Sequence, residues 1–125
     1  MADAGVVALA VLLGIGGLWD DLCATLQRSG FEALNEPQRD LCAVWMAHAD
    51  INNGGLYQYF YSSYADYHAR SIGWLRAHGA PVRAAILEEA GAVFGPGGPP
   101  ADWNIRRPIA FAFSPGQDQF LERLN

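Results

Sequence analysis

Apolar residues recur along most of the chain at intervals of three and four, the period of a helix buried on one side. Leu18, Leu22, Thr25 and Leu26 share one face with Asp20 and Asp21 turned away, and Ser29-Gly30 closes that element. After a short link from Phe31 to Leu34, Asn35 offers an N-cap with Pro37 just inside the next helix. Glu36 and Asp40 fall in the first turn, where the helix dipole favours carboxylates. Leu41, Val44, Trp45, His48 and Ile51 trace the inner stripe. This helix is predicted to run to about Ile51, where Asn52-Asn53-Gly54-Gly55 breaks it with a left-handed cap at Asn53 or Gly54.

Downstream, Leu56 to Tyr61 reads as a short helix with Leu56, Tyr59 and Phe60 inward and Tyr57, Gln58 and Tyr61 on the other side. Ser62 or Ser63 then caps a helix from Tyr64 to His78 that carries Ala65, Ala69, Ile72 and Leu75 on one stripe and stops at Gly79. Pro81 opens another, with Val82, Ala85, Ile86, Ala90 and Val93 on its stripe, ending near Phe94-Gly95. Gly95 to Pro100 is a glycine and proline turn. Beyond it, Ile105, Ile109, Phe111 and Phe113 fall on odd positions and Pro108 interrupts them, which predicts an extended packed segment. Ser114-Pro115-Gly116-Gln117 fits a capping box and predicts a final short helix through Leu124. The expected fold class is all-α, a single compact, bundle-like domain of about five or six helices. It divides into an apolar N-terminal helical segment over 1–34, a core over 35–100, and an extended segment with a short helix over 101–125.

Length and composition fit this picture, since 125 residues bury a core without disulfides or a structural metal. With 51% hydrophobic and 17% charged residues the chain is apolar for a soluble domain, which predicts that some apolar surface meets a partner, most simply a second copy in a homodimer. The net charge of −5 is unevenly spread, with about −6 carried by Met1 to Asp66 and about +1 by the remainder. That balance argues against direct nucleic-acid binding, which needs clustered positive charge, and favours a basic protein partner.

Cys23 and Cys42 have neither a Cys-x-x-Cys nor a Cys/His ligand spacing and read as reduced, buried thiols. The apolar start, Ala4 to Trp19, reads first as a core or dimer helix. As an export signal it lacks a basic residue before its apolar run, and it is short for a membrane span of about 20 residues. A cytoplasmic protein with no membrane attachment is expected unless this run is an anchor.

The chemistry-bearing residues give three candidate sites. The first is the corner Asn53, Gly54, Gly55, Gln58, Tyr59 and Phe60, with Tyr57, Tyr61, Tyr64 and Tyr67 around it. Structurally this is a tight turn between helices with an amide inside it; functionally it is a ligand pocket or a partner surface rich in tyrosine. The second is the acidic set Asp20, Asp21, Glu32, Glu36, Asp40 and Asp50, either a solvated face or a patch that steers a basic partner. The third, His48, Asp50, His68 and His78, has no spacing that puts two metal ligands on one helix face, so no metal or other cofactor is expected. Ser62 and Ser63 read as helix caps and not as nucleophiles, and no catalytic residue is assigned.

Asn52-Asn53-Gly54-Gly55-Leu56-Tyr57-Gln58-Tyr59-Phe60, followed by Ser62-Ser63-Tyr64-Ala65-Asp66-Tyr67, resembles the bacterial domain family typified by DNA mimic protein nineteen. Gly79-Ala80 and Ile86 to Phe94 fall where that family's pattern expects them, so the resemblance covers about 35–100. It implies an all-helical fold, a tendency to dimerise and, as in the namesake, a negatively charged surface that occupies a DNA-binding regulator. The expected function is therefore non-catalytic protein interaction. Two alternatives stand beside it: a small-ligand binder or enzyme using the tyrosine-rich corner, and an immunity-type protein that neutralises a toxin.

Overall fold

The computed structural model describes residues 18–125, with side chains from Asp21 onward. The apolar start expected to form a core helix, dimer helix or export signal lies outside the described residues, apart from its last two positions. Six α-helices follow: α1 (Leu18–Ser29), α2 (Glu36–Tyr61), α3 (His68–Ala77), α4 (Pro81–Gly91), α5 (Trp103–Phe111) and α6 (Pro115–Leu124). Short 3-10 turns at Phe31–Ala33, Ser63–Tyr67 and Ala92–Phe94 join them, and no strand occurs among the described residues. The fold is all-α, as the periodicity predicts.

The 26-residue α2 is the axis of the domain, in contact with α3, α5, α6 and the Ser63–Tyr67 turn, while α3 and α4 pair as a hairpin. Its start is fixed locally. Asn35 accepts a hydrogen bond from the Gln38 N–H, and the Gln38 side chain accepts one from the Asn35 N–H, so two backbone donors of the first turn are satisfied reciprocally. Leu56, Tyr59 and Phe60 are buried as expected and form the main core with Leu75, Leu87 and Leu121. Burying a side chain such as Phe60 contributes roughly 1.5–3 kcal/mol, so these positions dominate the packing. A smaller cluster of Leu22, Leu34 and Cys42 fastens α1 and its following turn to the start of α2.

Four details differ from the sequence expectation. The break in α2 is a kink at a single residue, Gly55 at φ 79°, with helix on both sides, and neither Asn53 nor Gly54 is left-handed. The Tyr64–His78 element begins as a 3-10 turn, and its inner face holds His68, Ser71, Ile72 and Leu75 while Ala69 is exposed. In α4 the buried residues are Ala84, Leu87, Ala90 and Gly91, with Val82 54% exposed. Small residues let α4 approach its neighbours closely, so the helix is rotated away from the face that its larger side chains mark.

The fourth difference is the largest. Residues 103–111, expected to be extended, form the helix α5 despite Pro108 within it. Asp102 caps its start by accepting the Asn104 N–H at 2.8 Å. Its inner face is Arg106 and Ala110, and Ile105, Ile109 and Phe111 point outward, the last 75% exposed. A charged residue on the buried side hid the helical period. Ser114 and Gln117 make the expected capping box for α6.

Candidate functional site

The Asn-Gly-Gly corner is closed from two directions. Gln58 folds back so that its Oε1 accepts from Asn53 Nδ2 at 3.3 Å, and a Cβ at position 54 would lie 2.0 Å from that same oxygen. Only glycine leaves room for the amide. At Gly55 the left-handed turn frees the Leu56 N–H, which donates to Oδ1 of Asn125 at 2.8 Å. A Cβ on Gly55 would come within 2.7 Å of the Asn125 amide, so the residue is held to glycine by both its backbone angle and its neighbour.

The far end of α2 is closed by an arginine with no exposed surface. Arg106 donates from Nε to the Phe60 carbonyl at 2.8 Å, from Nη1 to Pro100 O at 2.8 Å and from Nη2 to Ser62 O at 2.6 Å. Asp66 Oδ1 lies 2.9 Å from Nη1, off the hydrogen-bonding direction, and balances the charge. One guanidinium thus satisfies the carbonyls that the end of α2 leaves open and ties α5 and the Gly95–Pro100 turn to it.

Tyr59, with no exposed surface, places its hydroxyl 2.8 Å from Nδ1 of His68. Burial raises the Tyr59 hydroxyl above the ordinary tyrosine range, so it keeps its proton. Burial, aided by the Arg106 charge and opposed by Glu88, pushes His68 down to about 4, so the imidazole is neutral at pH 7. In the tautomer in which the hydroxyl donates to Nδ1, the imidazole proton sits on Nε2. His68 is 8% exposed, and it lines a cleft of about 600 Å³ between α3, α4 and the Gly95–Ala101 segment. From the sequence this histidine enters only the set rejected as a metal site, and its pairing with Tyr59 of the corner is not among the expectations.

The other histidines lie in separate settings: His48 Nε2 is 3.0 Å from Asn52 Nδ2, and His78 stacks on Trp74 at 3.9 Å. Among the described residues no group of three His, Cys, Asp or Glu side chains is arranged to hold a metal ion. Cys23 and Cys42 are free thiols, and burial, helped by nearby Cys23, pushes Cys42 up to about 11.

Tyr57 and Tyr61 stack at 6.0 Å on the outer side of α2, and Arg107 continues the row, 5.9 Å from the Tyr61 ring and 4.5 Å over Trp103. Tyr64 and Tyr67 turn the other way, onto Phe31. The corner's tyrosines therefore divide between two surfaces.

The acidic set also divides. Glu32 pairs with Arg39, and Glu36 and Asp40 both pair with Arg70. Glu32 and Glu36 are outermost, their side chains being 82% and 77% exposed against 29% and 40% for the two arginines, while Asp40, at 25%, lies deeper than Arg70. Asp21 is exposed on α1, and Asp20 lies on the same helix. Asp50 is not part of this face: its Oδ1 accepts from Gln58 Nε2 at 3.4 Å and its Oδ2 is buried.

No helix among the described residues is long and apolar enough to cross a membrane. Searches of the curated proteins and of the solved structures found no match. The sequence does match a family model described as DMP19-like protein over residues 32–125, which extends past the expected 35–100 to take in α5 and α6. With the Asn-Gly-Gly corner, its Gln58 closure and the capping arginine inside that matched span, the chain belongs to the DMP19-like protein family.

Proposed function

We propose that this protein is a non-catalytic interaction domain that binds a basic protein, such as a DNA-binding regulator, through the face carrying Asp21, Glu32, Glu36 and Asp40. The observation that carries this reading is the layering of that face. Arg39 lies beneath Glu32, and Arg70, anchored on the deeper Asp40, lies beneath Glu36, so the Glu32 and Glu36 carboxylates are outermost. Surface ion pairs of this kind add only about 0–1 kcal/mol each to stability, so their greater effect is to fix where the negative charge sits. Family membership supports the same class, through the namesake's imitation of DNA. The reading includes a homodimer, for which the outward Tyr57, Ile105, Ile109 and Phe111 supply apolar surface, and a cytoplasmic location where both thiols stay reduced.

The test is titration against purified DNA-binding regulators at low and high salt. Binding through the acidic face should weaken at least about tenfold between 50 and 300 mM salt, and Glu32→Gln with Glu36→Gln should weaken it further. Affinity indifferent both to salt and to these substitutions overturns the assignment.

A further inference from the structure

The cleft beside His68 has three chemically distinct parts. His68 lines it, and its Nε2 makes no hydrogen bond to a described residue, while Nδ1 is held by Tyr59. With Nδ1 taken as acceptor, Nε2–H is a fixed donor whose direction cannot adapt, and a group meeting it must bring an acceptor oxygen. The walls are apolar and small, with Ala69, Ile72, Ala85, Ala92, Pro96 and Pro99 among them. Exposed Glu89 lines the cleft, and Glu88 lines it too, bonded to Arg76 across the α3–α4 pair.

Position 91 bears on the same point. The last residue of α4 is Gly91, and it faces this imidazole. A Cβ there would lie 2.9 Å from Nε2 and 3.1 Å from Pro99 Cδ. The missing methyl keeps Nε2 clear and lets the Gly95–Ala101 segment close against α4.

We propose that this cleft receives one arginine or lysine residue of a protein partner, its backbone carbonyl on His68 Nε2–H, its aliphatic stem along the alanine walls and its cation at Glu89 and Glu88. This rests on the proposed basic partner for the class of ligand, and it places a specific contact where the acidic face supplies only long-range attraction. The two surfaces adjoin through one segment. Tyr67 and Arg70 turn toward Phe31 and the acidic face, while Asp66, His68 and Ala69 turn toward the cleft. The cleft's own charges favour a cation: Glu88, Glu89 and Asp66 face it, against Arg76 on the lining and Arg106 behind Asp66.

The test uses Nα-acetyl-arginine-N-methylamide and its uncharged citrulline counterpart as probes, followed by NMR on the isotopically labelled full chain. The arginine probe should shift the amides of Ala69, Ala85, Ala92 and Gly97 and move the His68 Nε2–H proton downfield. Citrulline should bind at least about tenfold more weakly, as should the arginine probe to Glu89→Gln, in which only an exposed carboxylate changes. Gly91→Ala should abolish the His68 shift while the remaining spectrum stays folded. Equal binding of the two probes, shifts centred elsewhere, or no shift at 10 mM probe overturns the cleft assignment. The two proposals separate cleanly. Loss of salt-dependent regulator binding with the arginine probe still in the cleft removes only the acidic-face reading, and the converse result removes only this one.

Discussion

The side-chain Oδ1 of Asn125 accepts a 2.8 Å hydrogen bond from the backbone N–H of Leu56, across 69 positions of sequence. The donor is one that the left-handed turn at Gly55 leaves without a helical partner, and the acceptor arrives from just beyond α6. Replacing Asn125 with Ala removes the acceptor and should cost about 1 kcal/mol, while Asn125→Asp keeps it and should cost less. Urea denaturation of both variants checks this, and equal stability for all three proteins would show that water serves Leu56 as well.

Gly55→Ala should be more damaging than Asn125→Ala. The new methyl meets a left-handed φ of 79° and the Asn125 amide together, for a combined loss of roughly 1–3 kcal/mol. A thermal melt of the double variant Gly55→Ala/Asn125→Ala separates the terms, because removing the amide relieves the collision but not the backbone strain.

Arg106 should tolerate no replacement well. Arg106→Met leaves the Phe60, Ser62 and Pro100 carbonyls and the Asp66 carboxylate without their partner, at a cost of roughly 3–5 kcal/mol. Lysine keeps the charge but lacks the planar fork that reaches three carbonyls, so Arg106→Lys should fall between the two. Denaturant midpoints give the order, and a Met variant within 1 kcal/mol of the parent would contradict this account of the buried guanidinium.

Stability should fall with acid before the carboxylates titrate. His68 takes up a proton at about 4 in the folded chain against 6.5 unfolded, so the unfolded state binds the proton first as the pH drops. The stabilisation is complete above 6.5, declines below it, and is lost as the pH approaches 4. Between pH 7 and 5 the loss from this group is about 2 kcal/mol. His48, lowered by burial and by Arg83, adds in the same direction. Unfolding free energies across that window check the slope, and His68→Gln should flatten it.

The all-α class, the caps and the inward faces of Leu56, Tyr59 and Phe60 were legible because each rests on local chemistry: a capping box, a proline in the first turn, an apolar stripe. Two features were not. The Trp103–Phe111 helix hid behind Arg106, since a period count treats a buried arginine as a solvent position, and its three carbonyl partners lie 6, 44 and 46 residues away. The burial of His68 was hidden likewise, because it depends on the Tyr59 hydroxyl and on a glycine in another helix. A signal for it did exist in the sequence. Gly91 stands inside the helical stripe read from Val82 to Val93, where a missing side chain marks a close neighbour, and His68 is that neighbour.

The seal between Leu56 and Asn125 also sets an order of events during synthesis. Chains emerge from the ribosome at about 5–20 residues per second, so the kink in α2 waits several seconds between its own appearance and that of residue 125. Arg106 reaches the end of the same helix earlier, before α6 exists. Synthesis order thus supplies the partner for the far end of α2 before it supplies the partner for the Gly55 bend.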